Sequence, residues 1–188
     1  MTDRETLAAA LGKVVWVYVF FYLDFNLFGL NILPEWIGWL LILKALPAIS
    51  GQVSTAGLLE TPVRILFFWN LCSRLPGVLG LDSLRATAGL VHAANLVMAV
   101  LAFWFHFQFF TDLAALAEAE GCSRGKQLLR LRVVHVLAPT LVSLPGLQGV
   151  EWFYRLAVAV SFAAVLWTFA VLSGIKKDLT SPPEAPEA

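Results

Sequence analysis

Long apolar runs, separated by short polar segments that contain Gly or Pro, recur along the whole chain. A helix needs about 20 apolar residues to cross a bilayer, and six of the runs reach or approach that length. We therefore predict an all-α, polytopic transmembrane bundle of about six helices, with spans at about 13–28, 35–49, 62–79, 84–110, 131–144 and 151–175. The second and fifth runs are short and contain Pro47 and Pro139, so the pattern leaves open whether they cross fully.

The polar segments between the runs predict how the bundle is organised. Pro34 and Pro62 suit the first turn of a helix, because the N–H that proline lacks has no intrahelical partner there. We expect three short outer turns, at 29–35, 77–83 and 145–151. Residues 1–177 then form one transmembrane domain, and the Pro- and Glu-rich tail 178–188 is expected to be a disordered cytoplasmic segment.

Positive charges predict the orientation of this bundle. Arg and Lys are concentrated on the segments that share a side with both termini, and the outer turns carry fewer of them. Because positive residues favour the cytoplasmic side, we expect both termini in the cytoplasm and the protein in the inner (plasma) membrane. The inner group consists of Arg4, Lys13, Arg64, Arg124, Lys126, Arg130, Arg132, Lys176 and Lys177.

Composition agrees with a membrane protein. Of the 188 residues, 59% are hydrophobic and 14% are charged, with a mean hydropathy of +0.77, whereas about a quarter of the residues in a soluble domain are charged. The formal net charge is zero, which gives no support to a nucleic-acid partner. Cys72 and Cys122 lie far apart without metal-ligand spacing, so neither a metal site nor a disulfide is expected. The acidic start lacks a small-residue cleavage site, and we expect the first helix to be retained.

The first predicted hairpin holds two opposite charges inside apolar runs. Asp24 and Lys44 each lie roughly ten residues from a turn centre near Leu33, which is about 15 Å along an antiparallel pair of helices. A lone charge at that depth is costly, and two opposite charges at one depth can neutralise each other. The pair is interpreted either as the floor of a binding site or as a structural ion pair.

Further polar residues are predicted near the middle of the bundle. Asn26 breaks the first run, Asn70 lies in the third, and His92 and Asn95 lie one turn apart in the fourth. With Asp24 and Lys44 they would form a midplane site for a small solute or an ion. For Asn70, His92 and Asn95 alone, interhelical hydrogen bonds that fix packing are the favoured interpretation.

Other candidates lie near the inner surface. His106 and His135 flank the inner loop, but two histidines without a Cys or an acid at ligand spacing do not make a metal site. We interpret them as interfacial side chains, and Trp36 and Trp39 as part of an outer aromatic belt. A basic cluster is predicted to meet anionic lipid head groups or a protein partner, and it comprises Arg124, Lys126, Arg130 and Arg132.

No signature of an enzyme is found in the sequence. There is no Gly-x-Ser-x-Gly elbow, no His-Glu-x-x-His helix and no Gly-rich phosphate loop. We therefore expect neither catalytic residues nor a cofactor.

The first hairpin carries Asp24-Phe25-Asn26 and Ile32-Leu33-Pro34-Glu35-Trp36-Ile37-Gly38-Trp39. This segment resembles a motif of small uncharacterised bacterial multi-pass membrane proteins, over about the first quarter of the chain. The resemblance implies that Asp24, Asn26, Pro34, Glu35 and Gly38 belong to one unit, and it implies no activity. The architecture is also similar to that of the substrate-binding subunits of energy-coupling-factor vitamin transporters, which have six helices and both termini inside.

Two functions remain open from the sequence. The first is a binding or transport protein for a small solute or ion, with a site that opens outward between the three outer turns. Asp24 and Lys44 would form its floor, and Trp36, Trp39 and Trp152 would lie near its mouth. The second is a non-catalytic scaffold or accessory subunit that holds a protein partner through lipid-facing helices and the basic loop 120–132.

Overall fold

The computed structural model describes the backbone of residues 3–22, 26–27, 30–31, 35–78, 88–143 and 151–180. Within these ranges the chain is helical apart from short connections at 51–53 and 120–124 and one pair of two-residue strands, β1 (Asn26–Leu27) and β2 (Leu30–Asn31). A 3₁₀ helix at Ser54–Leu59 leads into the third α-helix. The α-helices are α1 (Asp3–Tyr22), α2 (Glu35–Ser50), α3 (Glu60–Val78), α4 (Ala88–Ala119), α5 (Gly125–Ser143) and α6 (Glu151–Thr180).

Each predicted apolar run overlaps one of these helices, so the all-α prediction is confirmed. Among the described residues, two segments are both long and apolar enough to cross a membrane, Ala93–Ala119 in α4 and Ala159–Thr180 in α6. The other four helices do not meet that standard of length and hydropathy within the described ranges. A bundle of six complete spans therefore stays a prediction.

Several helices are longer than the apolar runs that predicted them. α1 begins at Asp3, with Asp3 and Glu5 in its first turn. Their negative charges interact favourably with the positive end of the helix dipole. α6 continues past its two lysines to Thr180, so residues 178–180 are helical and the tail begins later than predicted. The rest of the predicted tail lies outside the described residues.

The segment 50–60 is more ordered than the polar loop that the sequence predicts. Ala56 and Leu59 of the 3₁₀ helix are buried in the core. Thr55 Oγ1 donates a hydrogen bond of 2.7 Å to Asp112 Oδ1 on α4. A side-chain hydrogen bond to a helix far along the chain therefore anchors this connection. A contact of this kind cannot be predicted from the residues next to it in the sequence.

The helices form a closed ring of neighbours. Each of them packs against the next in chain order, and α6 returns to pack against α1. Tyr18 of α1 lies inside the ring, where its aromatic ring is 5.5 Å from that of Phe110 on α4 and 5.3 Å from that of His135 on α5. The core is continuous from α1 to α6, and its largest fully buried members include Leu11, Tyr18, Ile42, Phe105, Phe109, Phe110 and Leu113.

Ion pairs gather three parts of the chain at one end of the ring. Arg4 Nε near the start of α1 lies 3.1 Å from Glu120 Oε2 after α4. Arg124 Nη1, before α5, lies 3.4 Å from Asp178 Oδ2 near the end of α6. We call this end, defined by these four residues, the basal end.

The two most apolar helices present much of their surface outward. Only 17% of the most apolar stretch in α4 and 33% of that in α6 is buried inside the protein. Large apolar side chains are exposed on both helices, including Leu96, Val97, Val100, Phe103, Leu156, Val160, Phe162 and Leu166. Monomeric soluble proteins rarely expose such continuous apolar surface.

Candidate functional site

A cavity of about 200 Å³ lies between α1, α2 and α4. Phe21 comes from the end of α1, and Glu35 and Trp39 come from the first turns of α2. Ala102 and His106, one turn apart on α4, form the remaining wall. The cavity therefore lies where the first hairpin meets the fourth helix.

The start of α2 is shaped to build one wall of this cavity. Glu35 and Trp39 are four residues apart, so they share one face of the helix. Gly38 faces α1, and a methyl group there would lie 2.5 Å from the Phe21 ring. Because glycine leaves that space open, the rings of Phe21 and Trp39 approach to a centroid distance of 4.6 Å.

Aromatic rings surround His106. Its imidazole centroid lies 5.6 Å from that of Phe21, 5.9 Å from that of Trp39 and 5.2 Å from that of Phe105. The face of an aromatic ring carries partial negative charge and attracts cations. The wall of the cavity is thus aromatic, with Glu35 as its acidic residue.

Two buried polar atoms of this wall have no hydrogen-bond partner among the described residues, Trp39 Nε1 and His106 Nδ1. Trp39 is only 4% exposed. A buried polar group without a partner costs about 1–3 kcal/mol, so such groups normally bond to protein, ordered water or a ligand. The indole N–H is a donor, and the imidazole Nδ1 accepts or donates according to its tautomer. The side chains that carry these two atoms both line the cavity.

A second polar contact lies behind the cavity, across α5 and α6. His135 Nε2 and Thr168 Oγ1 are 2.7 Å apart, and the Thr168 hydroxyl donates to the carbonyl oxygen of Ala164 at 2.8 Å. Since that hydroxyl has a single proton, the imidazole donates and His135 carries its proton on Nε2. His135 is 3% exposed.

The structure corrects three positions predicted for the membrane surface. His135 is in the core rather than at the interface, because Tyr18 of α1, Phe110 of α4 and Thr168 of α6 contact it. His106 contacts the same interior rings and lines the cavity. Trp39 was predicted to lie in an outer aromatic belt, and it is instead buried against Phe21 and Phe105.

The predicted midplane residues are not brought together in the described part of the chain. Asn70 donates to the carbonyl oxygen of Leu66 in its own helix at 2.9 Å, and Asn95 is exposed on α4. The backbone of Asn26 pairs with that of Asn31 in the strand ladder. Asp24 and the side chains of Asn26 and His92 lie outside the described residues.

The register of the first hairpin differs from the predicted one. Asn26 pairs with Asn31 and Leu27 with Leu30, so the hairpin is centred between positions 28 and 29 rather than near Leu33. Lys13 Nζ lies 3.5 Å from the backbone carbonyl oxygen of Lys44. Asp24 lies outside the described residues, so its predicted pairing with Lys44 stays a prediction.

The predicted basic cluster divides into two pairs. Arg124 lies against Gly174 and Asp178 of α6. Arg132 donates to Thr111 Oγ1 at 2.9 Å, and its guanidinium carbon lies 4.1 Å from the centre of the Phe107 ring. Lys126 and Arg130 are exposed. Only the second pair is thus open to an external partner.

The basal end also holds a buried thiol. Burial raises the pKa of Cys122, and the carboxylates of Asp178 and Glu120 raise it further. Cys122 and Cys72 are both free, in agreement with the predicted absence of a disulfide between them.

Asp112 is a buried polar residue that the sequence interpretation missed. It is 2% exposed, and its Oδ1 accepts hydrogen bonds from Thr55 at 2.7 Å and from Gln108 Nε2 at 2.9 Å. Its Oδ2 has no partner in the described part of the chain. Gln108 and Asp112 are four residues apart on an apolar helix, and this spacing predicts that their side chains can contact each other.

No family model, no curated protein and no solved structure matches this chain. The resemblance of its first hairpin to bacterial multi-pass membrane proteins therefore stays a prediction. Three residues of that segment, Glu35, Gly38 and Trp39, nevertheless converge on the cavity, which gives the motif a physical role within this chain.

Proposed function

We propose that this protein is an integral membrane protein that binds a small polar solute in the cavity between α1, α2 and α4, as a step in its transport. The observation that carries the proposal is that Trp39 and His106 line a cavity of about 200 Å³, and that each has a buried polar atom without a partner in the described part of the chain. A solute that bonds to both atoms removes the cost of leaving them unsatisfied.

Membrane residence is supported by the outward faces of α4 and α6. A core helix of a soluble protein would be mostly buried, whereas most of the apolar stretch in each of these helices is exposed. Both helices also start far from the N-terminus, unlike a signal sequence. Removing this apolar surface from water is strongly favourable in a bilayer.

The wall of the cavity favours a solute with a cationic group and a separate hydrogen-bond acceptor. The rings of Phe21 and Trp39 and the carboxylate of Glu35 suit a small ammonium group. The Trp39 N–H requires an acceptor such as a carboxylate oxygen. A zwitterion of the size of an amino acid or a betaine meets both requirements.

The position of the cavity suggests the side from which the solute enters. Glu35 is exposed at the start of α2, and the basal end lies at the other end of α1, near Arg4. If the basic residues hold the basal end in the cytoplasm, the cavity faces the outer side of the membrane. This orientation agrees with uptake from outside.

Ligand-dependent thermal stability in detergent tests the proposal. A solute present at 100 times its Kd stabilises the folded state by about 2.7 kcal/mol, so amino acids, betaines and simple amines are screened at saturating concentration. Trp39→Phe keeps the ring and removes the N–H, and we expect it to weaken binding of a stabilising solute at least tenfold. The matched control is Trp36→Phe, because Trp36 packs against Phe67 outside the cavity. Equal binding by both variants, or no stabilisation by any zwitterion or amine, contradicts the proposal.

A scaffold function is the second candidate, and it is favoured by Lys126 and Arg130, which are exposed at the basal end. In that case a protein partner is recovered by gentle co-purification, and the double variant Lys126→Glu with Arg130→Glu loses it. The variant Trp39→Phe then retains the partner.

A further inference from the structure

A second concave surface lies on the outside of the bundle, between α1, α2 and α6. Its volume is about 410 Å³, and it is separate from the cavity beside His106. One part of it is apolar, with Trp16 and Phe20 from α1 and Ile37 and Leu41 from α2. Each pair is four residues apart, so the two helices contribute parallel apolar stripes. Trp16 is 58% exposed, which leaves this apolar wall uncovered.

Lysines lie at the basal side of this groove. Lys13 and Lys176 line it directly. Lys13 Nζ lies 3.5 Å from the carbonyl oxygen of Lys44, so the backbone of Lys44 is at the same level. Gly12 leaves room for the Lys176 side chain, because a methyl group at position 12 would lie 3.3 Å from Lys176 Nζ.

No acid in the described part of the chain forms an ion pair with these three lysines. Four ion pairs are formed elsewhere in the described ranges, and none of them includes Lys13, Lys44 or Lys176. Like charges at one level repel one another, and an anion beside them relieves that repulsion. The groove thus has lysines without an acidic partner among the described residues at one end, and an exposed apolar wall along the rest of its length.

We propose that this groove binds one anionic phospholipid. The phosphate lies between Lys13, Lys44 and Lys176, and an acyl chain lies along Trp16, Phe20 and the stripe from α2. A free phosphate would leave the apolar wall uncovered, and a neutral lipid would leave the lysines unneutralised. The proposal rests on membrane residence, which is part of the proposed function, but it concerns a different surface from the solute cavity.

Native mass spectrometry of the full chain in detergent tests the proposal, with phosphatidylglycerol and phosphatidylcholine titrated separately. We expect tighter binding of phosphatidylglycerol, and a loss of about fivefold in its affinity for each lysine changed to Gln. The triple variant Lys13→Gln, Lys44→Gln and Lys176→Gln is compared with Lys126→Gln and Arg130→Gln, which remove exposed charges outside the groove. Trp16→Ala is expected to weaken binding of both lipids.

A variant that keeps the positive charges serves as the control for misfolding. The triple change to Arg at positions 13, 44 and 176 is expected to retain phosphatidylglycerol binding. Equal binding of the two lipids by the native chain, or an unchanged affinity in the triple Gln variant, overturns the proposal. Competition by free glycerol phosphate at the concentration of the lipid also overturns it, since that result assigns a phosphate site without an acyl chain. Trp39→Phe leaves lipid binding intact, so failure of the solute site and failure of the lipid site are distinguishable.

Discussion

Lys13 and Lys44 face each other across the first hairpin, with Lys13 Nζ 3.5 Å from the carbonyl oxygen of Lys44. The strand pair Asn26–Asn31 has the same midpoint in the sequence and defines the register of the hairpin turn. The contact places a lysine, not an acid, at the level of Lys44. Lys13 lines the outer groove of α1 and α2, and the backbone of Lys44 lies beside its amino group.

This register predicts that Asp24 and Lys44 act independently. In a double-mutant cycle with Asp24→Asn and Lys44→Met, we expect the changes in thermal stability to add within about 0.5 kcal/mol. A buried ion pair would instead give a single-variant loss of about 3–5 kcal/mol that the second substitution relieves. Such coupling, measured by unfolding in detergent, would restore the pair that the sequence suggests.

Gly38 is predicted to control the packing of the cavity wall. Gly38→Ala places a methyl group 2.5 Å from the Phe21 ring, so we expect a destabilisation of about 1–3 kcal/mol from overpacking. The matched control is Gly57→Ala, where the nearest atom would be Ser50 Cβ at 3.8 Å. Phe21→Leu in the Gly38→Ala background should recover part of the loss. Equal stability of the two alanine variants in thermal unfolding would contradict this role.

The hydrogen bonds of Asp112 are predicted to anchor the 3₁₀ helix to α4. Thr55→Ala removes one donor to Asp112 Oδ1, and because a typical hydrogen bond contributes about 0.5–1.5 kcal/mol, we expect a measurable loss of stability. Thr61→Ala serves as control, since Thr61 is exposed on α3. Hydrogen exchange at residues 54–59 should accelerate in Thr55→Ala alone. Unchanged exchange there would show that packing of Ala56 and Leu59 is sufficient.

The side of the membrane on which the basal end lies is also testable. Lys126→Cys, in a background with Cys72→Ser and Cys122→Ser, places one exposed thiol at this end. We expect a membrane-impermeant maleimide to label it in inverted vesicles but not in intact cells, as basic residues favour the cytoplasmic side. Native Cys122 is a poorer reporter, because burial raises its pKa and lowers the fraction of reactive thiolate. Labelling in intact cells would reverse the orientation and the proposed direction of uptake.

Much of the secondary structure was predictable because it depends on local pattern. The run from Glu35 to Ser50 is apolar and starts after Pro34, and α2 occupies it. Glu151 and Arg155 form a pair at 2.6 Å, since four residues make about one helical turn. The ends of α1 and α6 were less predictable, because ion pairs such as Arg4 with Glu120 join residues far apart in the chain.

The candidate site was predictable only in part. Position along a helix can be counted from the sequence once the turn is known, but the turn of the first hairpin lies several residues before the predicted position near Leu33. The direction in which a side chain points depends on the rotation of its helix against its neighbours. The burial of one face also changes along a helix, because Asn95 is exposed, whereas His106, three turns further on nearly the same face of α4, lines the cavity.

The amino-acid sequence by itself determined an all-helical chain with six apolar segments, because hydropathy and helix signals act over a few residues. Only the tertiary structure decided which polar groups meet. The approach of Phe21 to Gly38 sets the spacing of α1 and α2, and that spacing brings Trp39 beside His106. Such contacts depend on side-chain shape across helices, which no local pattern encodes.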